Sequence, residues 1–478
     1  MPVEAKPTGF SLSCKEGLCQ WWNDVSSAQA EHRLLQLIPS VAPPTASSSS
    51  QSTDAPIHRT KNEQISVVDS FGPRNWQTAR VPLLGAQMEQ FINEFSVEHA
   101  EQDTKHNLVM LHGYGAGLGL FYKNFEPFSR SKNWKLYALD LLGMGRSGRP
   151  DFDIQARTSN AKVTEVESWF IDALEQWRIQ RGIEKMTLLG HSFGAYMAVC
   201  YALKYPGHLE KLILASPVGI PEDKYAWSPY TSAPPSTVRN EILQTQHEAT
   251  GQTESAAPGR PPIRALPRLV ASLWAGNFSP FGFVRAAGPF GPSLVSTWTS
   301  RRFSALAAIE AKALHDYCYS LFRLRGSGDY ALTYILAPGA YARSPLIRRI
   351  EGVGRQYLKN DPDVVNSDTI SHGSSDKTGR QNPRETGVPV VFMYGDRDWM
   401  DKQGGLDSEI KINAAKQKVL KTATEEEKRK ENGSAKTFIV PNAGHHLYLD
   451  NFEEFNRFVQ EEMADVEVRQ RQLSEPVT

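Results

Sequence analysis

The chain has 478 residues, enough to bury one large core or a core with a subdomain. Hydrophobic residues make up 40% and charged residues 22%, a balance that excludes wholesale disorder. Lys plus Arg equals Asp plus Glu, 53 each, which excludes a surface-wide field for nucleic acid or anionic lipid and leaves only local, largely apolar membrane contact.

In chain order, residues 1–60 read as an N-terminal appendage. Its apolar knot ends in Trp21 and Trp22, for which packing against the core and wedging into a membrane are the competing readings. A helical stretch over 28–37 follows, then a Pro/Ser-rich linker over 43–52. Glu4, Glu16 and the lack of any Arg before Arg33 make a poor targeting leader. Cys14, Cys19, Cys200 and Cys318 are too few and too scattered for a disulfide framework or a zinc site, so a reducing, intracellular compartment is expected. No apolar run reaches the roughly eighteen residues of a spanning helix.

Residues 61–220 alternate strand and helix patterns. Short apolar runs at 107–111, 136–139, 186–189 and 211–214 suit strands buried on both faces of a parallel sheet. Between them, Val166, Phe170, Leu174 and Trp177 recur at helical spacing within 163–180. The expectation is an α/β fold with a doubly wound, mostly parallel sheet. Over 221–387 the pattern changes to Pro, aromatics and Arg, with two polar, disorder-prone stretches at 231–259 and 360–387; this reads as a mainly helical lid. Core character resumes over 388–470, with strands at 388–394 and 437–440 and an amphipathic helix at 452–463, before a tail at 471–478. The charged stretch over 404–433 reads as a solvated surface helix, and there is no internal repeat.

Gly190-His191-Ser192-Phe193-Gly194 lies between a strand and a helical stretch at 195–203. A serine on such a tight turn presents its hydroxyl above the sheet, where the Phe193 N–H and the helix start favour a developing negative charge. Upstream, the glycine-rich turn from His112 to Gly117 offers a second oxyanion donor at Tyr114; with no Lys-Ser/Thr in it, it is not a phosphate-cradling loop. His112 and His191 read as structural hydrogen-bonding residues. The hydroxyl needs a base, and the base needs an orienting carboxylate. Asp398 is the candidate acid, with Asp396 and Asp401 as rivals that cap the turn, and His445, after Ala443-Gly444, is the candidate base beside His446. Serine, acid and histidine each follow a separate strand, in that chain order.

These segments resemble a branch of the α/β-hydrolases that holds fungal cardiolipin-specific deacylases, fungal lysophosphatidic acid acyltransferases and related animal lipid-droplet proteins. The resemblance rests on 112–121, 138–147, 287–291, 343–350 and 443–450, and spans roughly 61–470. It implies an α/β-hydrolase fold with an inserted lid, an intracellular protein peripheral to a membrane (the mitochondrial inner membrane, or else the cytosol or a lipid droplet) and a phospholipid or lysophospholipid substrate. Some animal members lack the nucleophile, whereas Ser192 is present here; Ala195 stands where many members carry glycine. His445 and Asp450, with four residues between them, match the branch's acyl-transfer pattern, with a helix N-cap as the alternative role for Asp450.

The expected chemistry is attack by Ser192 on an acyl ester, giving an acyl-enzyme released to water or to a lysolipid hydroxyl. Trp274, Phe278, Phe281, Phe283, Phe290 and Trp298 in the lid either line an acyl tunnel or pack. No residue pattern calls for a metal or cofactor, and nucleic acid is not an expected partner. A non-catalytic lipid-droplet or membrane scaffold and a small-molecule esterase are the competing readings. Haloalkane or epoxide chemistry would need Asp in place of Ser192.

Overall fold

The computed structural model describes residues 12–23, 25–41, 71–84, 90–100, 103–222, 276–337, 340–358 and 383–474. Two helices come first, α1 (Cys14–Asn23) and α2 (Ser27–Leu35). The sheet is built from β1 (Arg74–Pro82), β2 (Phe91–His99), β3 (His106–Leu111), β4 (Trp134–Leu139), β5 (Met186–His191), β6 (Leu209–Ala215), β7 (Pro389–Gly395) and β8 (Ser434–Val440). Its order is β1-β2-β4-β3-β5-β6-β7-β8; β2 runs against both neighbours and every other adjacent pair is parallel. Helices α3 (Ser159–Gln180) and α4 (Phe193–Lys204) follow β4 and β5. Between β6 and β7 the chain leaves the sheet for α5 (Phe281–Ala286), α6 (Gly291–Arg302) and α7 (Ala308–Phe322). Helices α8 (Lys402–Leu420), α9 (Glu425–Lys430) and α10 (Phe452–Ser474) complete the chain. The doubly wound, mostly parallel sheet and the helical insertion match the expectation.

Successive side chains of a strand point to opposite faces, and both faces here are covered. Val109 and Leu111 of β3 enter one apolar core with α3 and α4, while Leu108 and Met110 enter the other with α2, α7 and α10. Strands β5, β6 and β7 are buried along their whole length. Even Lys211 of β6 is buried, its Nζ donating to Glu462 Oε2 at 2.7 Å and Asp465 Oδ2 at 2.6 Å, which pins α10 to the sheet.

Strands β1 and β2 are absent from the sequence reading because β2 hides its hydrophobic period behind polar residues with specific partners. Glu94 accepts from Trp177 Nε1 and Arg181 Nε, both at 2.8 Å. The surface segment read at 404–433 is two helices, α8 and α9, and the last helix runs on from 463 to Ser474. The polar stretches 231–259 and 360–382 and the linker 43–52 lie outside the described residues.

The described part of the N-terminal segment is packed into the molecule. Helix α2 opens with a capping box between Ser26 and Gln29 and buries Ala30, Leu34 and Leu35 against the core and α7. Glu31 goes with them: Arg146 is ion-paired to it, and Asn93 Nδ2 donates both to it at 3.2 Å and to Asp140 Oδ2 at 2.8 Å. Burial, then the Asp140 charge, pushes the Glu31 carboxyl up to about 7. A carboxyl whose folded value lies above its unfolded one contributes stability that is fully present below about 4.5 and is lost as pH rises through about 7. Stability is therefore expected to fall by about 3 kcal/mol over that window, and Glu31→Gln is expected to flatten it. Chemical denaturation at pH 5 and pH 8 checks this; an unchanged slope in the variant refutes it.

Candidate functional site

Ser192 sits at the β5–α4 junction with φ 52° and ψ −112°, a left-handed backbone that costs on the order of 1–3 kcal/mol for a non-glycine residue. The turn holds because its flanks admit no side chain. A Cβ on Gly190 would lie 2.5 Å from Gly194 O, and one on Gly194 would lie 2.6 Å from both His112 O and Leu111 O. The Ser192 N–H donates to Ala215 O at 2.9 Å, tying the turn to β6.

Three separate strand ends converge here. His445 Nε2 is 3.0 Å from Ser192 Oγ, and His445 Nδ1 is 3.1 Å from Asp398 Oδ1. The tautomer that satisfies both contacts has Ser192 Oγ–H donating to Nε2 and Nδ1–H donating to Asp398. Asp398 Oδ1 is held by the Met400 N–H at 3.0 Å, and its Oδ2 is buried with no partner among the described residues. Trp399 covers the ring of His445 at a centroid distance of 4.9 Å. The rival acids point elsewhere. Asp396 Oδ1 accepts the Ala443 N–H and Asp401 Oδ1 caps α8 by accepting the Gln403 N–H, both at 3.0 Å.

The neighbouring histidines are structural. His112 Nδ1–H donates to Gly113 O at 2.7 Å and Nε2 accepts the Leu141 N–H at 3.0 Å, with burial holding the ring below its ordinary value. His191 Nε2–H donates to His445 O at 2.9 Å, and burial lowers it well below 6.5. His446 accepts from Arg302 Nε at 2.9 Å and is held well down, first by burial and then by the Arg302 charge.

The two candidate oxyanion donors flank the serine. Phe193 opens α4, and Gly113, just before Tyr114, lies so close that a Cβ on it would be 3.2 Å from Ser192 Cβ. The Tyr114 side chain reaches the lid, its hydroxyl donating to Asp329 O at 2.8 Å and its ring stacking on Phe281 at 5.4 Å.

Asp450 is not the N-cap of the last helix. Its Oδ2 accepts the Gly444 N–H at 2.9 Å and its Oδ1 receives the Arg302 guanidinium at 3.2 Å, so it braces the loop behind His445 and ties it to the lid. The cap of α10 is Asn451, whose Oδ1 accepts the Glu454 N–H at 3.3 Å. Arg302 was not legible as a site residue, because an Arg at the end of a lid helix carries no local signal.

Of the lid aromatics, Phe281 packs between Tyr114 and Phe322, and Trp298 packs on Phe303 and Phe322. Phe278 and Phe283, about half exposed, pack on each other, and Phe290 is 73% exposed; Trp274 lies outside the described residues. Trp22 is 78% exposed, so packing against the core is not its role here. Among the described residues no group of His, Cys, Asp or Glu is placed to hold a metal, and no helix is long and apolar enough to cross a membrane.

The chain is 32% identical over 350 residues to a 1-acylglycerol-3-phosphate O-acyltransferase of Arabidopsis thaliana, covering 72% of this chain and 63% of the plant protein. It is 30% identical to the human 1-acylglycerol-3-phosphate O-acyltransferase ABHD5, covering 74% of this chain and 76% of the human protein. A human (lyso)-N-acylphosphatidylethanolamine lipase is 27% identical, with 76% of this chain and 80% of that protein covered. Among solved structures, carboxylesterase CesB of Bacillus subtilis aligns over 93% of this chain and 97% of its own at 12% identity and a TM-score of 0.45. The model of the α/β hydrolase fold matches residues 106–452, and the chain belongs to that family.

Proposed function

We propose that the protein is a serine-dependent lipid acyl-ester hydrolase, a phospholipid deacylase working through an acyl-enzyme. The observation that carries this reading is the continuous relay from Asp398 through His445 to Ser192 on a strained strand-to-helix turn. Ser192 Oγ attacks the ester carbonyl as His445 Nε2 takes its proton. Asp398 keeps the imidazole in the required tautomer, and the N–H groups of Phe193 and Tyr114 receive the oxyanion. His445 then gives the proton to the departing alcohol, and water releases the acyl group.

A lysophosphatidic acid hydroxyl in place of that water makes the same site an acyltransferase; the plant and human relatives named for that transfer favour this as the second reading. The intact relay weighs against a purely non-catalytic scaffold. Cardiolipin, and with it the mitochondrial inner membrane, is the finer assignment that the sequence resemblance supports. The test supplies purified protein with acyl-labelled phospholipid vesicles, with and without lysophosphatidic acid. Free fatty acid as the main product supports hydrolysis, new phosphatidic acid supports transfer, and neither product overturns the proposal.

Access to the bilayer is assigned to apolar anchors. Helix α1 packs on the lid beside Gly288–Phe290 and leaves Leu18, Trp22, Phe290 and Leu294 half or more exposed. Trp21→Ala with Trp22→Ala is expected to weaken vesicle binding about tenfold, with little salt dependence and unchanged turnover of a soluble short-chain ester. Co-sedimentation with vesicles at low and high salt checks it; undiminished binding removes the tryptophans from the membrane contact.

A further inference from the structure

The relay residues all follow strands of the core, yet both chain neighbours of His445 are held from the lid, by Arg302 at the end of α6. Arg302 Nε donates to His446 Nδ1 at 2.9 Å, and Nη1 and Nη2 both donate to Asp450 Oδ1 at 3.2 Å. The other carboxylate oxygen, Asp450 Oδ2, accepts the Gly444 N–H at 2.9 Å. One guanidinium thus reaches Gly444 through a carboxylate and His446 directly, with His445 between them. A third hold on this stretch comes from the core, where His191 Nε2–H donates to His445 O at 2.9 Å.

These contacts suit a guanidinium. Its planar fork offers donors in fixed directions, whereas an ammonium is a point charge on a flexible stem. The Arg302 side chain is 10% exposed, so the cation is largely out of water and needs the Asp450 charge to offset its desolvation. His446 completes the set by staying an acceptor: burial first, and the Arg302 charge second, hold it well below 6.5. Its ring stands perpendicular to that of His445 at a centroid distance of 5.4 Å, so the ring that Arg302 holds packs against the catalytic one.

We infer that Arg302 is a positioning residue for the reaction, acting from the lid on both neighbours of His445 to fix the direction of the imidazole toward Ser192. This rests on the proposed acyl-ester chemistry. Arg302 supplies direction and not a proton: His445 Nε2 must stay at its 3.0 Å from Ser192 Oγ, and a displacement of about 1 Å costs on the order of a hundredfold in rate. The relay is then complete only while α6 is seated on the histidine loop. Turnover depends on the lid even for an ester too small to need it for binding.

The test measures kcat and KM for a soluble short-chain ester in wild type, Arg302→Gln, Asp450→Asn, the double variant and Arg301→Gln. Arg302→Gln is expected to lower kcat about thirtyfold with KM little changed. Asp450→Asn breaks the same contact from the core side and is expected to lower kcat similarly, with the double variant well short of the product of the two losses. Arg301→Gln removes the same charge from the same helix end and is expected to keep wild-type kcat. If Arg302 only braces the lid, its loss raises KM or lowers Tm with kcat kept. That result overturns the inference, as does an equal loss of kcat from Arg301→Gln.

The low-field proton resonance of His445 Nδ1–H, bonded to Asp398, reads the same alignment without turnover. It is expected to persist in Arg301→Gln and to shift or broaden in Arg302→Gln and Asp450→Asn. A change confined to those two variants supports the inference even if the wild type hydrolyses no ester, in which case the hydrolase reading is what fails. An unaltered resonance in folded Arg302→Gln overturns it; if Arg302→Gln does not fold, Asp450→Asn decides by the same two readouts.

Discussion

Replacing Ser192 with alanine is expected to reduce acyl release by on the order of a million-fold while leaving the fold intact. The hydroxyl lies above the sheet and, among the described residues, is bonded to His445 Nε2 at 3.0 Å, so removing it leaves the packing of β5 and α4 unchanged. Relief of the strain at φ 52° would not follow, since alanine has the same Cβ. A fluorogenic ester assay with purified variant, alongside a thermal unfolding curve, reads both parts. Wild-type turnover in a folded Ser192→Ala protein would falsify the nucleophile assignment.

The next largest effect belongs to the acid. Asp398→Ala is expected to lower turnover about ten-thousand-fold, because an imidazole without its carboxylate loses both the tautomer and the stabilisation of its protonated form. Asp398→Asn is expected to do nearly as much, since an amide can hold the ring in the wrong tautomer. The two neighbouring carboxylates separate the roles. Asp396→Ala loosens the Ala443 N–H and with it the histidine loop, which is worth about tenfold. Asp401→Ala removes a cap from α8 and costs about 1 kcal/mol of stability with turnover kept. Turnover of all three alanine variants, measured beside wild type on one ester, orders them; a crippled Asp401→Ala with an active Asp398→Ala would move the acid.

Legible in the sequence were the short parallel strands, the helix read at 163–180 and Ser192, His445 and a choice of three aspartates as relay candidates. Those features are local: an apolar run closed by Gly, Asp or Ser is readable because strand burial and turn chemistry act over a few residues. Gly190, Ser192 and Gly194 carry their own steric reason, and the spacing of Gly395 to Asp398 and of Gly444 to His445 places acid and base just past their strands. Tertiary structure alone decided what depends on partners far apart in the chain. Strand β2 was hidden because Asn93 and Glu94 are buried by virtue of Asp140, Trp177 and Arg181. Helix α2 belongs to the core because Leu34 and Glu31 meet α7, Asn93 and Arg146, none of which lies near them in sequence. The choice of Asp398 over Asp396 and Asp401 was one of direction: three carboxylates share one turn, and only the packed backbone aims one of them at His445. The contact of Asp450 with Arg302 is a product of docking, since a charge acquires its role only when folding fixes what it faces.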